Sequence, residues 1–306
     1  MKVAVTGATG FLGRYIVARL TAAGHDCRCW HRPSSDRSAM EDGANRIQWV
    51  PGELDNADAV HALVGGCQAV VHAALDHSSD GPRISGGFTL DLARRNVKCT
   101  LDIIEAARRL GVGRFVFISS CAVYDHILGD RPLDEAHPLW PGSHYGAHKA
   151  AIEAFVHSYG AGEVYSICAL RPSGIYGLAH PIEESKWYDL VSTVVRGETV
   201  TCERGGKEVH AADVAQGVEA LLNAPHIAGE AYNCCDRYVS EHEVAVLAKK
   251  ISGSKSEIKG APTQPKHQIV TDKLRSLGVR FGGEPLLEET VGELVAAVRA
   301  VQAVSA

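Results

Sequence analysis

A doubly wound parallel α/β sheet with a small, mostly C-terminal lobe is the fold class that this chain of 306 residues predicts. Three observations carry the reading. An apolar run at the start passes through a glycine-rich turn into an amphipathic segment, strand-like and helix-like runs then alternate as far as Leu170, and beyond Pro172 the alternation loosens. Alternation of this kind builds a parallel sheet covered by helices on both faces. Right-handed crossovers then gather the carboxyl ends of the strands on one edge, where ligands bind.

The first strand is Lys2–Thr6, with an apolar Val3-Ala4-Val5 centre, and a helix starts at Phe11. Strands follow at Cys27–Trp30 and Arg46–Val50, then a helix near Ala57–Val64 and a strand at Ala69–Ala73. A long helix, Thr89–Leu110, leads to the strand Phe115–Ser119, and a helix over His144–Tyr159 leads to the strand Tyr165–Leu170. Residues 1–175 plus 207–235 are assigned to the sheet domain and 176–206 plus 236–306 to a substrate-binding lobe. No internal repeat or low-complexity segment is present.

The turn Gly7-Ala8-Thr9-Gly10-Phe11-Leu12-Gly13 is the most informative segment. Gly7 would turn the chain tightly, Gly10 would let phosphate approach the backbone, and Gly13 would let the helix pack on the strand. The helix N-terminus offers unpaired N–H groups and a positive dipole end to an anion. Placed between a strand and a helix, the triplet reads as a dinucleotide site in which Thr9, Phe11 and Leu12 also take part. An acid at the end of the second strand would select NAD, whereas an arginine there accommodates the 2′-phosphate of NADP. Here the strand ends Cys29-Trp30-His31-Arg32, so Arg32 favours NADP over NAD.

Composition bounds the alternatives. Nine cysteines, an odd number, are scattered through apolar runs with no C-x-x-C pair, which reads as buried thiols and not as a metal or redox centre. The expected location is cytoplasmic: the first strand begins at Lys2 with no leader before it, and no apolar run approaches the roughly 20 residues that span a bilayer. A net charge of −5 without a basic block gives no support to nucleic-acid or membrane binding. No histidine set has ligand-like spacing, so no metal is expected.

Tyr145 and Lys149 stand four apart in a helical segment and share one face. A phenol with an ordinary pKa of about 10 must be lowered to act as a base near neutrality, and the nearby ammonium together with the charge of the oxidised nicotinamide is expected to act in that direction.

The G-x-x-G-x-x-G spacing together with Tyr145-x-x-x-Lys149 resembles the extended short-chain dehydrogenase/reductases, in particular the epimerase/dehydratase branch that works on sugars and related polyols. The resemblance runs from the glycine turn to Ala211–Ala215 and Gly229–Asn233 and weakens after Cys235. It implies a Rossmann domain and a catalytic Ser120, Tyr145 and Lys149, with Ser120 holding the substrate oxygen and Lys149 also anchoring the cofactor ribose. It further implies that Glu53 and Leu54 border the adenine, that Ala73 and Ala74 lie beside the nicotinamide riboside, and that Pro172 lies over the nicotinamide. Asn96 matches a family position on the long helix, where helix packing is an equally good account. The helices Thr89–Leu110 and His144–Tyr159 match the pair that forms a homodimer interface in this family.

Two departures narrow the chemistry. The sugar 4,6-dehydratases carry two carboxylates directly after the catalytic hydroxyl residue, where this chain has Cys121 and Ala122. Nucleotide-sugar enzymes tend to place an arginine seven residues before the Asp of Asp213-Val214-Ala215, where this chain has Gly206. The expectation is therefore hydride transfer at a carbinol of a free sugar, sugar acid or lactone. The alternatives are a nucleotide-sugar epimerase with tightly bound NAD and a non-catalytic dinucleotide-binding sensor.

Overall fold

The computed structural model describes residues 1–38, 40, 43–54, 56–76, 94–163 and 165–305. In chain order the elements are β1 (Lys2–Thr6), α1 (Phe11–Ala22), β2 (Asp26–His31), β3 (Ile47–Pro51), α2 (Ala57–Val64), β4 (Ala69–His72), a π-turn over Arg94–Lys98 that runs into α3 (Cys99–Arg109), β5 (Arg114–Ile118), α4 (His144–Glu163), β6 (Ile167–Pro172), β7 (Gly174–Tyr176), α5 (Tyr188–Val195), β8 (Val200–Cys202), β9 (Gly205–His210), α6 (Ala211–Asn223), β10 (Glu230–Cys234), β11 (Arg237–Ser240), α7 (Glu241–Ser252), β12 (Ile258–Gly260), α8 (Asp272–Arg275) and α9 (Gly283–Ser305).

Two compact units are present. The first comprises Met1–Pro172, Val214–Cys234 and Ile269–Val279. Its sheet has seven strands in the order β10-β6-β5-β4-β1-β2-β3, and every pairing is parallel. After β3 the chain returns to the other side of β1, so strand order reverses between β1 and β4. A crevice opens at the carboxyl ends of strands at such a reversal. The central strands β1, β4, β5 and β6 are buried on both faces, whereas β3 at the edge is half-exposed, and Val70, Phe115, Ile103, Ile152 and Ile167 form the centre of the core between sheet and helices. Burying each such side chain contributes about 1.5–3 kcal/mol.

The second unit comprises Ser173–Asp213, Cys235–Gln268 and Arg280–Ala306. It holds the sheet β11-β9-β7, the two-stranded pair β12-β8, and a core in which Leu287, Val291, Leu294 and Val298 form one apolar stripe of α9 at helical spacing. The units divide the chain at other residues than the sequence boundaries. β9 pairs with β7 and β11 and not with the seven-stranded sheet, which takes 207–213 into the second unit. Residues 269–279 join the first unit through the bridge from Leu133 to Ile269.

Helix α4 runs four residues beyond the expected His144–Tyr159, and α3 is preceded by a π-turn where the sequence suggests one continuous helix. The segment 89–93 of that expected helix lies outside the described residues, as does Asp55.

Candidate active site

The glycine turn shows why its three positions carry no side chain. Gly7 takes φ of +70°, a left-handed conformation, and a Cβ there would stand 2.8 Å from Ala73 C and Ala74 N. At Gly13 a Cβ would stand 1.9 Å from the Gly7 carbonyl oxygen. Gly10 differs, because its Cβ would meet nothing nearer than the Gly7 oxygen at 3.3 Å. It is also the N-cap of α1, which has no side-chain cap and no acidic residue in its first turn. The leading amides of α1 are thus left for an anion, with the space above Gly10 open for it to approach. Thr9, Phe11 and Leu12 are half-buried around this turn. The residues present fit a dinucleotide pyrophosphate.

Ser120, Tyr145 and Lys149 come together at the end of β5. Ser120 follows the strand and caps a short helical turn, its Oγ accepting from the Ala122 N–H at 3.1 Å. The half-buried Tyr145 phenol comes close enough to Ser120 for that hydroxyl to act on its pKa. Lys149, 5% exposed, sends its ammonium to the Ile118 carbonyl at 2.7 Å and stands 6.0 Å from the Tyr145 ring centroid.

The electrostatics correct one expectation. Burial raises the Tyr145 pKa above its ordinary value, and the Ser120 hydroxyl opposes that shift. At Lys149 burial pulls the pKa from 10.5 to about 7, opposed by Glu153, so less positive charge faces the phenol near neutrality than an ordinary lysine would bring. Desolvation, which disfavours whichever form is charged, outweighs the attraction that spacing alone suggests.

A buried ion pair behind the trio escaped the sequence reading. Glu153, one turn beyond Lys149, accepts from Arg171 Nε at 2.8 Å and from Ser119 Oγ. Arg171 also donates to the Tyr124 hydroxyl, which in turn donates to Asn233 Oδ1 at 3.0 Å. This network joins α4, β5, β6 and β10 beneath the site. Its sequence signal is Glu153 at i+4 from Lys149, with an arginine inside the otherwise apolar β6.

The remaining expected positions are dispersed around the sheet edge. Arg32 is exposed just after β2, where its N–H donates to Ser35 Oγ at 3.0 Å, and Arg37 in the same loop lies 5.9 Å from the Trp49 ring centroid. Glu53 is exposed after β3, and Leu54 packs half-buried on the core. Pro172 closes β6 opposite Cys234. Asn96 is buried, and its side-chain amide is engaged with the backbone of Asp76. Arg14, also not anticipated, ties the glycine turn to the loop after β2 by donating to the carbonyls of Thr9 at 3.2 Å and Asp36 at 2.9 Å. Among the described residues no group of three or more His, Cys, Asp or Glu is placed to hold a metal ion, and no helix is long and apolar enough to cross a membrane.

A parallel sheet with this strand order, a glycine turn leading into α1 and a Ser-Tyr-Lys trio at the edge of the sheet define a dinucleotide-binding α/β protein. The model of the NAD dependent epimerase/dehydratase family matches residues 3–235, and the chain belongs to that family. Among its relatives, the 3β-hydroxysteroid dehydrogenase/Δ5→4-isomerase of Mycobacterium tuberculosis is 29% identical over 202 residues, covering 64% of this chain and 52% of that protein. The chain thus spans about half the length of that relative. The 4-hydroxy-2-methyl-3-oxo-4-farnesyl-3,4-dihydroquinoline-1-oxide ketoreductase of Stigmatella aurantiaca is 29% identical over 276 residues, covering 86% of this chain and 77% of that protein. The fold is shared with the UDP-glucose 4-epimerase of Thermus thermophilus, solved in complex with NAD, at a TM-score of 0.78 and 24% identity over 98% of this chain and 99% of that one.

Proposed function

We propose that this protein is an NAD(P)-dependent oxidoreductase that transfers hydride at a carbinol carbon of a sugar-like substrate such as a free sugar, sugar acid or lactone. The observation that carries the reading is the convergence of Ser120, Tyr145 and the buried Lys149 at the end of β5, with the ammonium 6.0 Å from the Tyr145 ring centroid. Gly7, Thr9, Gly10, Phe11, Leu12 and Gly13 would hold the pyrophosphate, Glu53 and Leu54 the adenine side, and Ala73, Ala74, Asn96 and Pro172 the nicotinamide side. Bound there, the dinucleotide would supply or accept the hydride.

Ser120 holds the substrate oxygen and Tyr145 moves its proton. With its pKa raised by burial, the Tyr145 phenol is protonated at neutral pH and is poised to give that proton to a carbonyl oxygen. Lys149 stays partly charged near pH 7 and can hold a ribose hydroxyl. Cys121 donates its thiol to the Arg171 carbonyl at 3.1 Å, and neither it nor Ala122 supplies the carboxylates of water loss. For cofactor choice, Arg32 and Arg37 in a loop whose strand ends without a carboxylate favour NADP.

A nucleotide-sugar epimerase is the second reading, favoured by family membership and by the fold shared with a UDP-glucose 4-epimerase. Glu208 weighs against it. This buried carboxylate, paired with Lys186 at 2.5 Å, fills the space beside Gly174 and Gly206, the position where nucleotide-sugar enzymes tend to place an arginine.

The deciding experiment follows the absorbance of reduced nicotinamide with NADP and with NAD over free sugars, sugar acids, lactones and nucleotide sugars. Reduced cofactor in excess of enzyme supports a dehydrogenase, isomerised nucleotide sugar without it supports the second reading, and neither on any substrate supports the sensor. We also infer a homodimer through α3 and α4, where Leu110 and Phe155 are each 43% exposed. A monomer mass in light scattering would refute it.

A further inference from the structure

The loop after β4 is held by a run of hydrogen bonds with only one consistent direction. The Ala74 N–H donates to Thr6 Oγ1 at 3.1 Å, and Thr6 Oγ1 stands 2.7 Å from His72 Nδ1. On the far side of the ring, His72 Nε2 stands 2.9 Å from Thr100 Oγ1, which donates to the Asn96 carbonyl at 2.6 Å. Asn96 completes the circuit through its side chain, Oδ1 accepting from the Asp76 N–H at 2.8 Å and Nδ2 donating to the Asp76 carbonyl at 3.1 Å. Thr6, His72, Thr100 and Asn96 are all buried, 4% exposed or less, so each polar atom depends on its protein partner.

A backbone amide can only donate and a carbonyl can only accept, and these two ends orient everything between them. Thr100 has one proton and gives it to Asn96, so its oxygen accepts from Nε2. His72 therefore carries its proton on Nε2, and bare Nδ1 accepts from the Thr6 hydroxyl, whose oxygen takes the Ala74 N–H. The other tautomer leaves the Thr6 proton without an acceptor and sets two lone-pair-bearing atoms against each other at Thr100. An imidazolium also strands the Thr6 proton, and burial, aided by the charge of Lys149, pushes the His72 pKa down to about 3.

We propose that His72 is a positioning residue for loop 73–76, fixed in its Nε2-protonated tautomer by this chain, and that the chain acts as one unit in setting dinucleotide affinity. The proposal rests on the reading that Ala73 and Ala74 border the nicotinamide half of the cofactor. The loop backbone has little room to drift, since it comes so near Gly7 that a methyl group there would stand 2.8 Å from it. The π-turn that carries Asn96 is an irregularity of the kind that recurs at functional sites.

Long-range proton–nitrogen NMR spectra of the ¹⁵N-labelled protein near neutral pH test the tautomer. His72, assigned by its loss in His72→Phe, is expected to show a protonated Nε2 and an unprotonated Nδ1; a protonated Nδ1 overturns the proposal. Calorimetric titration with NAD and NADP of wild type, His72→Phe, Thr6→Val and the double variant tests the unit, with circular dichroism reporting the fold. Each single variant is expected to weaken the Kd by about tenfold or more, and the double variant to lose no more than about twofold beyond the worse single one. Losses that multiply, or single variants within about twofold of wild type, overturn it. Should His72→Phe not fold, Thr6→Val perturbs the same ring signals and gives the assignment. A wild type that binds neither dinucleotide sinks the cofactor reading itself, while the tautomer still stands or falls by the spectra.

Discussion

The Lys149 ammonium donates a hydrogen bond of 2.7 Å to the carbonyl of Ile118, the last residue of β5, from inside the protein. Helix α4, which carries Tyr145, is tied in this way to the strand that leads to Ser120. Two opposed effects meet at Lys149: burial favours the neutral amine and Glu153 the ammonium, and burial prevails, leaving the pKa at about 7 instead of 10.5.

That shift makes stability depend on pH. Between about pH 7 and 10 the unfolded chain binds more protons at this lysine than the folded one, so the contribution of Lys149 to stability rises with pH through that window. Below about pH 7 the buried charge costs on the order of 5 kcal/mol. Lys149→Met is expected to be at least as stable as wild type at pH 6, with a flatter urea-midpoint profile between pH 7 and 10, while turnover is lost. Parallel profiles for the two proteins would contradict this.

Gly13→Ala and Gly10→Ala should part ways. The first drives a methyl into the Gly7 carbonyl at 1.9 Å, and a loss of about 3 kcal/mol or more in urea denaturation is expected. The second meets only the Gly7 oxygen at 3.3 Å and should fold with near-normal stability, yet place its methyl where the proposed pyrophosphate would approach. Its expected signature is dinucleotide affinity weakened by about tenfold or more at an unchanged melting temperature.

Arg171→Met leaves Glu153 buried and unpaired, a change that costs about 3–5 kcal/mol. Removing the partner as well, in Arg171→Met with Glu153→Leu, is expected to recover most of the loss in thermal denaturation. Equal destabilisation of the single and double variants would mean that the pair's charges are not what the fold depends on.

Cofactor choice is expected to follow the loop after β2. Arg32→Asp should weaken NADP binding by about tenfold or more and leave NAD unchanged or improved, because it exchanges the proposed partner of the 2′-phosphate for a partner of the ribose hydroxyls. The NADP preference proposed for the wild type should also fall as salt rises, since Arg32 is exposed and its charge is screened.

Much of the sheet domain was legible because local signals and burial agree there. Val3-Ala4-Val5 and Val70-Val71 are apolar and strand-forming, and α2 occupies Ala57–Val64 where the sequence places a helix. The glycine turn was legible because steric constraint selects residue type directly at Gly7 and Gly13. Three-dimensional partners were not legible. Nothing within β6 shows that Arg171 pairs with Glu153, and nothing around His72 shows that Thr6 and Thr100 flank it from 66 and 28 residues away. Spacing also suggested that Lys149 would lower the Tyr145 pKa, because a helical i,i+4 pair reveals proximity but not how deeply both groups are buried.

The central claim, proton transfer by Tyr145 in a hydride-transfer site, is tested most directly by comparing Tyr145→Phe with wild type in steady-state turnover and in cofactor binding. The expected result is a kcat lower by roughly 10²–10⁴-fold with a dinucleotide Kd within about threefold of wild type, since only the proton-transfer group is removed. A variant that turns over within about threefold of wild type would contradict the account.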